Sequence, residues 1–277
     1  MATTGVPAGC DTDCGSCDKT CGVRDLRAHL HAESAVRHVI GVMSGKGGVG
    51  KSFVTSLLAC AMNRREKHTA ILDADITGPS IPEAFGVSGI RVTGTDTALE
   101  PVTTDGGIQL MSMDFLLDDN TDPVIWRGPV IAGAVKQFWE NVVWHDVDYM
   151  FVDMPPGTGD VPLTVFQSLP VDGIIVVSSP QQLVRVIVEK AVKMATLMNI
   201  PIIGLIENMS YVTCPDCGGV INVYGKSNIE AIARNYALPV LARIPIEESS
   251  SSAIDLGLVE QLDVDYVDAA IERILSL

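Results

Sequence analysis

A glycine-rich segment near the start of the chain, GKGGVGKS at residues 45–52, has the residue types needed to bind phosphate groups. It matches the pattern G-x-x-x-x-G-K-[ST] of phosphate-binding loops, in which the lysine reaches the β- and γ-phosphates and the final hydroxyl binds Mg²⁺. Glycines let backbone N–H groups turn towards phosphate oxygens, and the positive end of the following helix adds to the attraction. We therefore predict that the phosphates of a nucleotide contact the whole loop, namely Gly45, Lys46, Gly47, Gly48, Val49, Gly50, Lys51 and Ser52.

The loop contains a second lysine, Lys46, which this pattern does not require because Lys51 already serves the phosphates. A lysine at the start of the loop could point away from its own nucleotide and enter the site of a facing chain. An arginine finger acts in trans in this way on developing phosphate charge. The alternative is an ordinary surface lysine surrounded by water. The residues alone leave both interpretations open.

Three aspartates follow apolar runs and could complete a magnesium site. Asp73 and Asp75 end the run TAILDAD, and Asp153 ends the run MFVD. Ligands of parallel sheets bind outside the carboxyl ends of the strands, and Mg²⁺ prefers hard oxygen ligands. We predict that these carboxylates lie near the metal beside Ser52. The alternative for each is a structural cap at the end of a strand.

Two cysteines, Cys214 and Cys217, form a C-x₂-C turn followed by two glycines. Two thiolates cannot complete a four-coordinate metal site, so another pair must come from the N-terminal region or from a second chain. A two-fold dimer supplies the same pair twice. The spacing alone leaves an iron–sulfur cluster and a shared zinc ion open.

Four further cysteines lie within twelve residues near the N-terminus, with the spacing C-x₃-C-x₂-C-x₃-C. This run is close to the ferredoxin pattern C-x₂-C-x₂-C-x₃-C-P, but its first gap is longer and glycine replaces the proline. We predict that this run binds a [4Fe–4S] cluster, with zinc or a redox-active tail as alternatives. The predicted ligands are Cys10, Cys14, Cys17 and Cys21.

These residues must be positioned by a regular alternation of strands and helices that begins near residue 36. Apolar runs that end in polar or glycine-rich loops predict strands, and segments of helical spacing between them predict a mostly parallel sheet with helices on both faces, an α/β fold. The predicted strands are residues 38–44, 69–75, 147–157, 172–180, 200–210 and 238–245; the predicted helices are residues 50–65, 129–143, 181–198, 226–236 and 264–275.

The rest of the chain divides into three parts. Residues 1–34 are predicted to be a cysteine-rich module and linker with a short helix over residues 24–33. Residues 35–277 form the predicted ATPase domain, in which residues 211–224 are an insertion that contains the C-x₂-C pair. Residues 91–117 are rich in Thr, Gly and Asp, which predicts a hairpin or an antiparallel edge.

The formal net charge is −15 over 277 residues. Non-specific binding to DNA and to anionic lipid is driven by basic patches, so we expect neither nucleic acid nor a membrane as a partner. The sequence has no apolar run of membrane-spanning length, and its first fifteen residues, which lack a basic start and an apolar stretch, lead us to expect no secretory signal. We therefore expect a cytoplasmic protein whose clustered cysteines serve metal or redox chemistry.

The leading lysine of KGGVGKS resembles the deviant Walker A motif of the MinD/ParA group of P-loop ATPases. Four further stretches resemble the Mrp/ApbC-type iron–sulfur cluster carriers within that group. The likeness extends from residue 37 to residue 277, and the four stretches are DADITGPSIP (73–82), WRGP (126–129), DMPPGTGD (153–160) and ENMSYVTCPDCGG (207–219).

The resemblance implies roles for individual residues. Lys46 would reach across a homodimer to the partner's nucleotide, and Asp75 would position or activate the attacking water. Asp153 would lie beside the water shell of magnesium, and Asn208 would form a hydrogen bond with the adenine. Residues 73–82 and 153–160 would be switch loops that respond to the γ-phosphate.

The resemblance also implies a function. In carriers of this type the C-x₂-C pairs of two subunits, here Cys214 and Cys217, bridge a [4Fe–4S] cluster. The chain would then be an ATP-dependent carrier that transfers the cluster to apo-proteins and hydrolyses ATP slowly. Longer members of the family also have four N-terminal cysteines, but with wider gaps than those of this chain.

Two other functions remain open on the same scaffold. One is an ATP-driven electron donor resembling the nitrogenase iron protein, whose cysteines come from two separated loops. The other is a MinD/ParA-like positioning ATPase that binds membrane or DNA. A membrane version should end in a basic amphipathic helix, whereas this chain ends in the acidic sequence VDYVDAAIERILSL.

The two interpretations of Lys46 predict different kinetics for Lys46→Ala. If the lysine acts in trans, this variant abolishes ATP hydrolysis and leaves nucleotide binding partly intact, because Lys51 still holds the phosphates. Steady-state phosphate release and nucleotide titration measure the two effects. Lys67→Ala, which removes a positive charge outside the loop, is the control, and unchanged turnover in Lys46→Ala would rule out the trans role.

Overall fold

The computed structural model describes residues 27–277 except 76, 77, 79, 96, 117–127, 158, 181–183 and 264. Strands and helices alternate along this part of the chain. The strands are β1 (Val36–Ser44), β2 (Thr69–Asp73), β3 (Thr93–Thr95), β4 (Ala98–Glu100), β5 (Val102–Thr103), β6 (Gln109–Met111), β7 (Val147–Asp153), β8 (Gly173–Ser178), β9 (Ile202–Glu207), β10 (Val212–Thr213), β11 (Val220–Ile221) and β12 (Val240–Arg243).

The helices differ widely in length. They are α1 (Lys51–Asn63), α2 (Ile81–Ala84), α3 (Gly128–Asn141), α4 (Asp160–Ser168), α5 (Val184–Met198), α6 (Ile229–Asn235), α7 (Glu248–Asp255) and α8 (Asp268–Leu275), with short 3-10 helices at Met113–Leu116 and Val259–Gln261. Among the residues that the structure describes, no helix is both long and apolar enough to cross a membrane.

Within the described residues, eight of the strands form one sheet in the order β12-β9-β8-β1-β7-β2-β6-β5. Neighbouring strands are parallel except β5 and β6, which pair antiparallel at one edge. The register pairs Val42 and Asp73 with Asp153, so the carboxyl ends of β1, β2 and β7 lie side by side. These three ends form the floor of the candidate site, as expected for an open parallel sheet.

Helices cover both faces of the sheet and bury its strands. Helix α1 packs against β2 and β7 and contacts α8, whereas α5 packs against β8 and contacts α4 and α6. Every residue of β8 is buried, which explains why this strand is a continuous apolar run in the sequence. The expected fold class, a mostly parallel α/β sheet flanked by helices, is confirmed.

Several predicted elements differ in detail from the structure. The long predicted strands end earlier, because the polar loops that follow them lie outside the sheet. Residues 91–117 contain both predicted features, the β3–β4 hairpin and the antiparallel β5–β6 edge. Helices α2, α4 and α7 were not predicted from the sequence, and α7 includes a run of serines that has little helical signal.

The predicted short helix at residues 24–33 is wrong for the part that is described. Residues 27–33 are extended or turn instead, and they lie along the domain. The amide of Ala28 donates to the carbonyl of Ser168, and Ser34 bonds to both Val142 and Trp144. The first contact uses a backbone N–H that a helix would have satisfied internally, whereas the other two use the side-chain hydroxyl of Ser34, just after the predicted helix. The boundary predicted at residue 34 stays a prediction.

The close packing of β9 against β12 can be tested at Gly204. A Cβ atom there would lie 2.5 Å from Cγ of Leu241 and 2.9 Å from the carbonyl oxygen of Pro239. We expect Gly204→Ala to lower the free energy of unfolding by about 1–3 kcal/mol because of this overpacking. Gly133→Ala in α3, where a Cβ meets nothing within 4 Å, should instead raise it by about 0.5–1 kcal/mol. Urea titration measures the free energy of unfolding of both variants. Equal changes in Gly204→Ala and Gly133→Ala would contradict the close packing of Gly204 against β12.

Candidate nucleotide site and cysteine hairpin

The glycine-rich loop connects the carboxyl end of β1 to the start of α1 at Lys51. Gly48 and Gly50 have positive φ angles of 75° and 72°, a conformation that residues with a Cβ rarely adopt. A Cβ atom at Gly50 would also lie 2.2 Å from Nδ2 of Asn208. The loop conformation therefore depends on glycine at this position for two independent reasons.

A cavity of about 330 Å³ lies above the loop, within the size range of ligand pockets. Asp75 is the predicted acidic residue that lines it. The other lining residues come from the loop and from neighbouring segments: Ser44, Lys46, Gly47, Gly48, Val49, Gly50, Lys51, Ser52, Phe53, Gly78, Ser80, Ala84, Pro156 and Ile254.

A second, smaller cavity of about 130 Å³ adjoins the first, and both are lined by Gly50, Phe53 and Ile254. Asn208 and Met209, which follow β9, form another part of its wall. The Nδ2 group of buried Asn208 donates to the carbonyl oxygen of Val49, 2.9 Å away. The side-chain amide of Asn208 therefore holds the loop and lines the second cavity, and its predicted contact with adenine stays a prediction.

A network of charged and hydroxyl groups surrounds Asp153, which is completely buried. The ammonium group of Lys51 lies 2.7 Å from Oδ1 of Asp153 and 3.6 Å from Oδ2 of Asp75. The hydroxyls of Ser52 and Thr55 donate to the same carboxylate over 2.6 and 2.8 Å. Sequence reasoning missed Thr55, although it lies about one helical turn after Ser52 and therefore on the same face of α1.

Asp73 is buried beside Asp153 and does not line the cavity. Its Oδ1 accepts the backbone N–H of Asp75 and its Oδ2 accepts the hydroxyl of Ser112, both over 3.0 Å. Burial raises the pKa of the Asp73 carboxyl well above its usual range, and the negative charge of Asp153 raises it further. The predicted role of Asp73 as a magnesium ligand stays a prediction, and Ser112 was missed because only the fold brings it near.

The donor set at the loop fits Mg²⁺. The hydroxyl of Ser52, which lines the cavity, and the buried carboxylate of Asp153, 2.6 Å from it, are two hard oxygen donors. Mg²⁺ binds such oxygens and keeps several water molecules, so few protein ligands are needed.

Lys46 lies in the loop, is half-buried and lines the same cavity. Its carbonyl oxygen accepts the hydroxyl of Ser44 over 2.9 Å, which fixes the backbone at the entrance of the loop. The reach of this lysine into a second chain stays a prediction. Parts of the two predicted switch loops, at residues 76, 77, 79 and 158, lie outside the described residues.

The C-x₂-C pair lies at the tip of a small hairpin formed by β10 and β11. Cys214 and Gly219 are joined by one backbone hydrogen bond, and Gly218 donates a second to the carbonyl of Cys214, both over 2.9 Å. The backbone N–H groups of Cys217 and Asp216 donate to the Cys214 sulfur and lower the pKa of its thiol. The turn therefore favours the thiolate, the form that binds metals.

The surface next to this pair is apolar. Val220, Ile221, Val223 and Tyr224 are between 47% and 61% exposed. Among the described residues, no group of three or more His, Cys, Asp or Glu side chains could hold a metal ion. A metal bound by the two thiols of this hairpin would therefore need further ligands from outside the described residues or from a second chain. The four N-terminal cysteines, Cys10, Cys14, Cys17 and Cys21, lie outside the described residues.

The parallel sheet, the glycine loop and the Lys51–Ser52–Asp153 network together define a P-loop nucleotide-binding protein. Residues 35–275 match the model of a ParA family described as "NUBPL iron-transfer P-loop NTPase". The chain belongs to this family. The resemblance seen in the sequence motifs is therefore confirmed.

Similar proteins support the same assignment. An iron–sulfur cluster carrier protein of Methanocaldococcus jannaschii is 43% identical over 260 residues, which cover 91% of this chain and 90% of that protein. A carrier protein of Clostridium perfringens is 41% identical over 233 residues, 82% of each chain. A nucleotide-binding protein from Archaeoglobus fulgidus, solved in complex with ADP, has a TM-score of 0.76 and 42% identity and covers 83% of this chain and 90% of its own.

More distant structures share the fold only. The cell division ATPase MinD of Pyrococcus furiosus has a TM-score of 0.58 at 16% identity, with 86% of this chain and 98% of that chain covered. The carrier proteins and the ADP complex are therefore the comparisons that bear on function.

The raised pKa of Asp73 predicts how stability depends on pH. Because the folded pKa exceeds the unfolded value, stability falls as the pH rises through the interval between them. We expect Asp73→Asn to raise the melting temperature at pH 8, with every kcal/mol regained adding about 2–4 °C, and to lose this advantage below the usual aspartate pKa. Melting curves from about pH 3 to pH 8 test this, with exposed Asp255→Asn as the control. If the melting temperature of Asp73→Asn exceeded that of the wild type equally at every pH, the raised pKa of Asp73 would be contradicted.

Proposed function

We propose that the protein is an ATP-dependent carrier of a [4Fe–4S] cluster, which it delivers to apo iron–sulfur proteins. The observation that carries the proposal is the exposed cysteine turn, with its thiolate-favouring N–H groups, on the same strand end that holds the nucleotide loop through Asn208. Membership of an iron-transfer family and the names of the related carrier proteins support it.

The nucleotide chemistry is assigned to the network around the loop. Lys51 binds the β- and γ-phosphates, Ser52 and Asp153 hold magnesium directly or through water, and Asn208 binds the adenine. Bound Mg²⁺ would neutralise the charge that develops on the phosphates. Asp75 is the carboxylate that lines the cavity, so it is assigned to orient the attacking water. Hydrolysis is slow because it times a conformational change.

The active form is proposed to be a homodimer in which Lys46 of one chain contacts the nucleotide of the other. The resemblance of KGGVGKS, with its leading lysine, to the deviant Walker A motif supports this role. A two-fold axis also brings two Cys214–Cys217 pairs together, which provides the four thiolates that a cubane cluster needs. The exposed apolar residues beside the pair suit the same contact.

The N-terminal cysteines are proposed to hold a second [4Fe–4S] cluster.

We further propose a cytoplasmic location and no direct role for nucleic acid or membrane, on the basis of the acidic net charge. A relative from Schizosaccharomyces japonicus, 39% identical over 249 residues, is named a probable cytosolic Fe–S cluster assembly factor. The chain spans 41% of that longer protein.

The same cysteine turn also suits a second function, a dimer held together by zinc in which the nucleotide acts as a switch. C-x₂-C turns with N–H groups directed at sulfur serve zinc as well as iron. Inorganic sulfide in the purified protein distinguishes a cluster from zinc.

Anaerobic purification followed by iron, sulfide and zinc analysis tests the cargo. A shared cluster and one N-terminal cluster in each chain correspond to about six irons per chain. Cys214→Ala combined with Cys217→Ala should lose about two of them and still bind ATP. Cys60→Ala, which removes a buried thiol of α1, is the matched control and should keep all iron. Zinc without sulfide would replace the proposal with the zinc-switch alternative.

Transfer is measured separately from binding. An apo-enzyme whose activity requires a [4Fe–4S] cluster should regain activity when it is mixed with the loaded wild type. The Cys214→Ala/Cys217→Ala variant should not restore it. Equal restoration by both proteins would show that the hairpin does not carry the transferred cluster.

A further inference from the structure

Glu207, the last residue of β9, has a completely buried side chain. It immediately precedes Asn208, and it pairs in register with Ser178 of β8. Burying a carboxylate is costly unless its oxygens are paired. The partners of Glu207 therefore indicate what this charge holds in place.

Both oxygens of Glu207 accept hydrogen bonds from serines that flank the cysteine hairpin. Ser210, just before the hairpin, donates to Oε2 over 2.6 Å, and Ser227, just after it, donates to Oε1. The hydroxyl of Ser227 also accepts the backbone N–H of Ile229, at the start of α6, over 3.1 Å. One carboxylate thus ties both ends of residues 211–226 to the end of β9.

The hairpin has little other support among the described residues. Side chains from Tyr211 to Lys226 are half-buried or exposed, and its ladder consists of two residues on each strand. A pair of such short strands is not stable alone in water. Its base is fixed by two further backbone bonds, from Ser210 to Ile244 and from Ile246 to Tyr211. The position of Cys214 and Cys217 therefore depends on the residues at the base.

The same base forms a wall of the nucleotide site. Asn208 and Met209 line the smaller cavity together with Pro245 and Ile246. Asn208 also holds the glycine loop through the carbonyl of Val49. A shift of the loop or of the base when nucleotide binds therefore acts on Asn208, on Glu207 next to it, and through the two serines on both ends of the hairpin.

The geometry points to Glu207 as a positioning residue that couples the nucleotide site to the cysteine pair. Nucleotide binding changes the placement of the two thiols through this carboxylate, and metal binding at the thiols changes nucleotide affinity by the same factor, as linkage requires. This inference rests on the proposed function, because it needs both a nucleotide and a metal to bind. It adds the physical connection between the nucleotide site and the cysteine pair.

The test measures this coupling factor with MgADP and Zn²⁺ as probes. The protein is the full chain with Cys10, Cys14, Cys17 and Cys21 changed to serine, so that zinc reports on the hairpin. Calorimetry gives the Kd of MgADP with and without bound zinc. We expect zinc to change this Kd at least about 5-fold, the lower end of typical allosteric coupling. In Glu207→Gln and in Ser227→Ala the change should fall below about 2-fold, while each ligand alone still binds.

Two control variants separate coupling from stability. Ser227→Thr keeps the hydroxyl and should keep the wild-type factor. Ser34→Ala removes a hydroxyl that ties a remote segment through Val142 and Trp144, and it should lower stability without changing the factor. A purely structural role for Glu207 would change stability and leave the zinc-induced change in the Kd of MgADP intact. These variants therefore distinguish a coupling role from a structural one.

Four outcomes would overturn the inference. It fails if both probes bind the wild type independently, with equal Kd values for MgADP, or if Glu207→Gln and Ser227→Ala keep the full factor; the proposed function survives either result. If MgADP does not bind, or if Cys214→Ala with Cys217→Ala leaves zinc binding unchanged, the proposed function fails and the inference fails with it.

Discussion

The buried carboxylate of Asp153 is bound by three side chains from the first five residues of α1. Lys51 neutralises its charge, and Ser52 and Thr55 donate hydrogen bonds to its two oxygens. A buried charge that lost these partners would cost several kcal/mol, so the start of the helix cannot move away from the end of β7. The glycine loop spans the short distance between this fixed helix and the fixed end of β1. Its shape, and the cavity above it, follow from that constraint.

The pairing of Asp73 with Asp153 in register illustrates a different kind of constraint. Two carboxylates on adjacent strand ends repel each other, and burial removes the water that would screen them. Asp73 is kept near Asp153 by hydrogen bonds from Asp75 and Ser112, and the charge of Lys51 partly offsets the repulsion. Through the first of these bonds Asp73 fixes the backbone of Asp75, the acidic residue that lines the cavity.

Much of this architecture was predictable from the sequence, for identifiable reasons. The central strands are continuous apolar runs because both of their faces are covered, and the glycine loop is a local motif whose neighbours in sequence are its neighbours in space. The contributions of Thr55, Ser112 and Glu207 could not be predicted in the same way, because their partners are set by strand order and register. The D-x-D pattern at Asp73 likewise did not reveal which carboxylate is buried. Helix α7 was missed because serine competes with the helix for backbone hydrogen bonds.

The cysteine hairpin stands apart from the core, with its sulfur atoms at the tip and most of its side chains in solvent. In a single chain the two thiols can be approached from outside, since no helix or strand of the described core has to open first. Exchange of thiolate ligands with an incoming protein would then be limited by the attack of one sulfur on the metal and by the pKa values of the thiols involved. The stability of the domain and the lability of its cargo are in this way separate properties, which evolution or design can adjust independently.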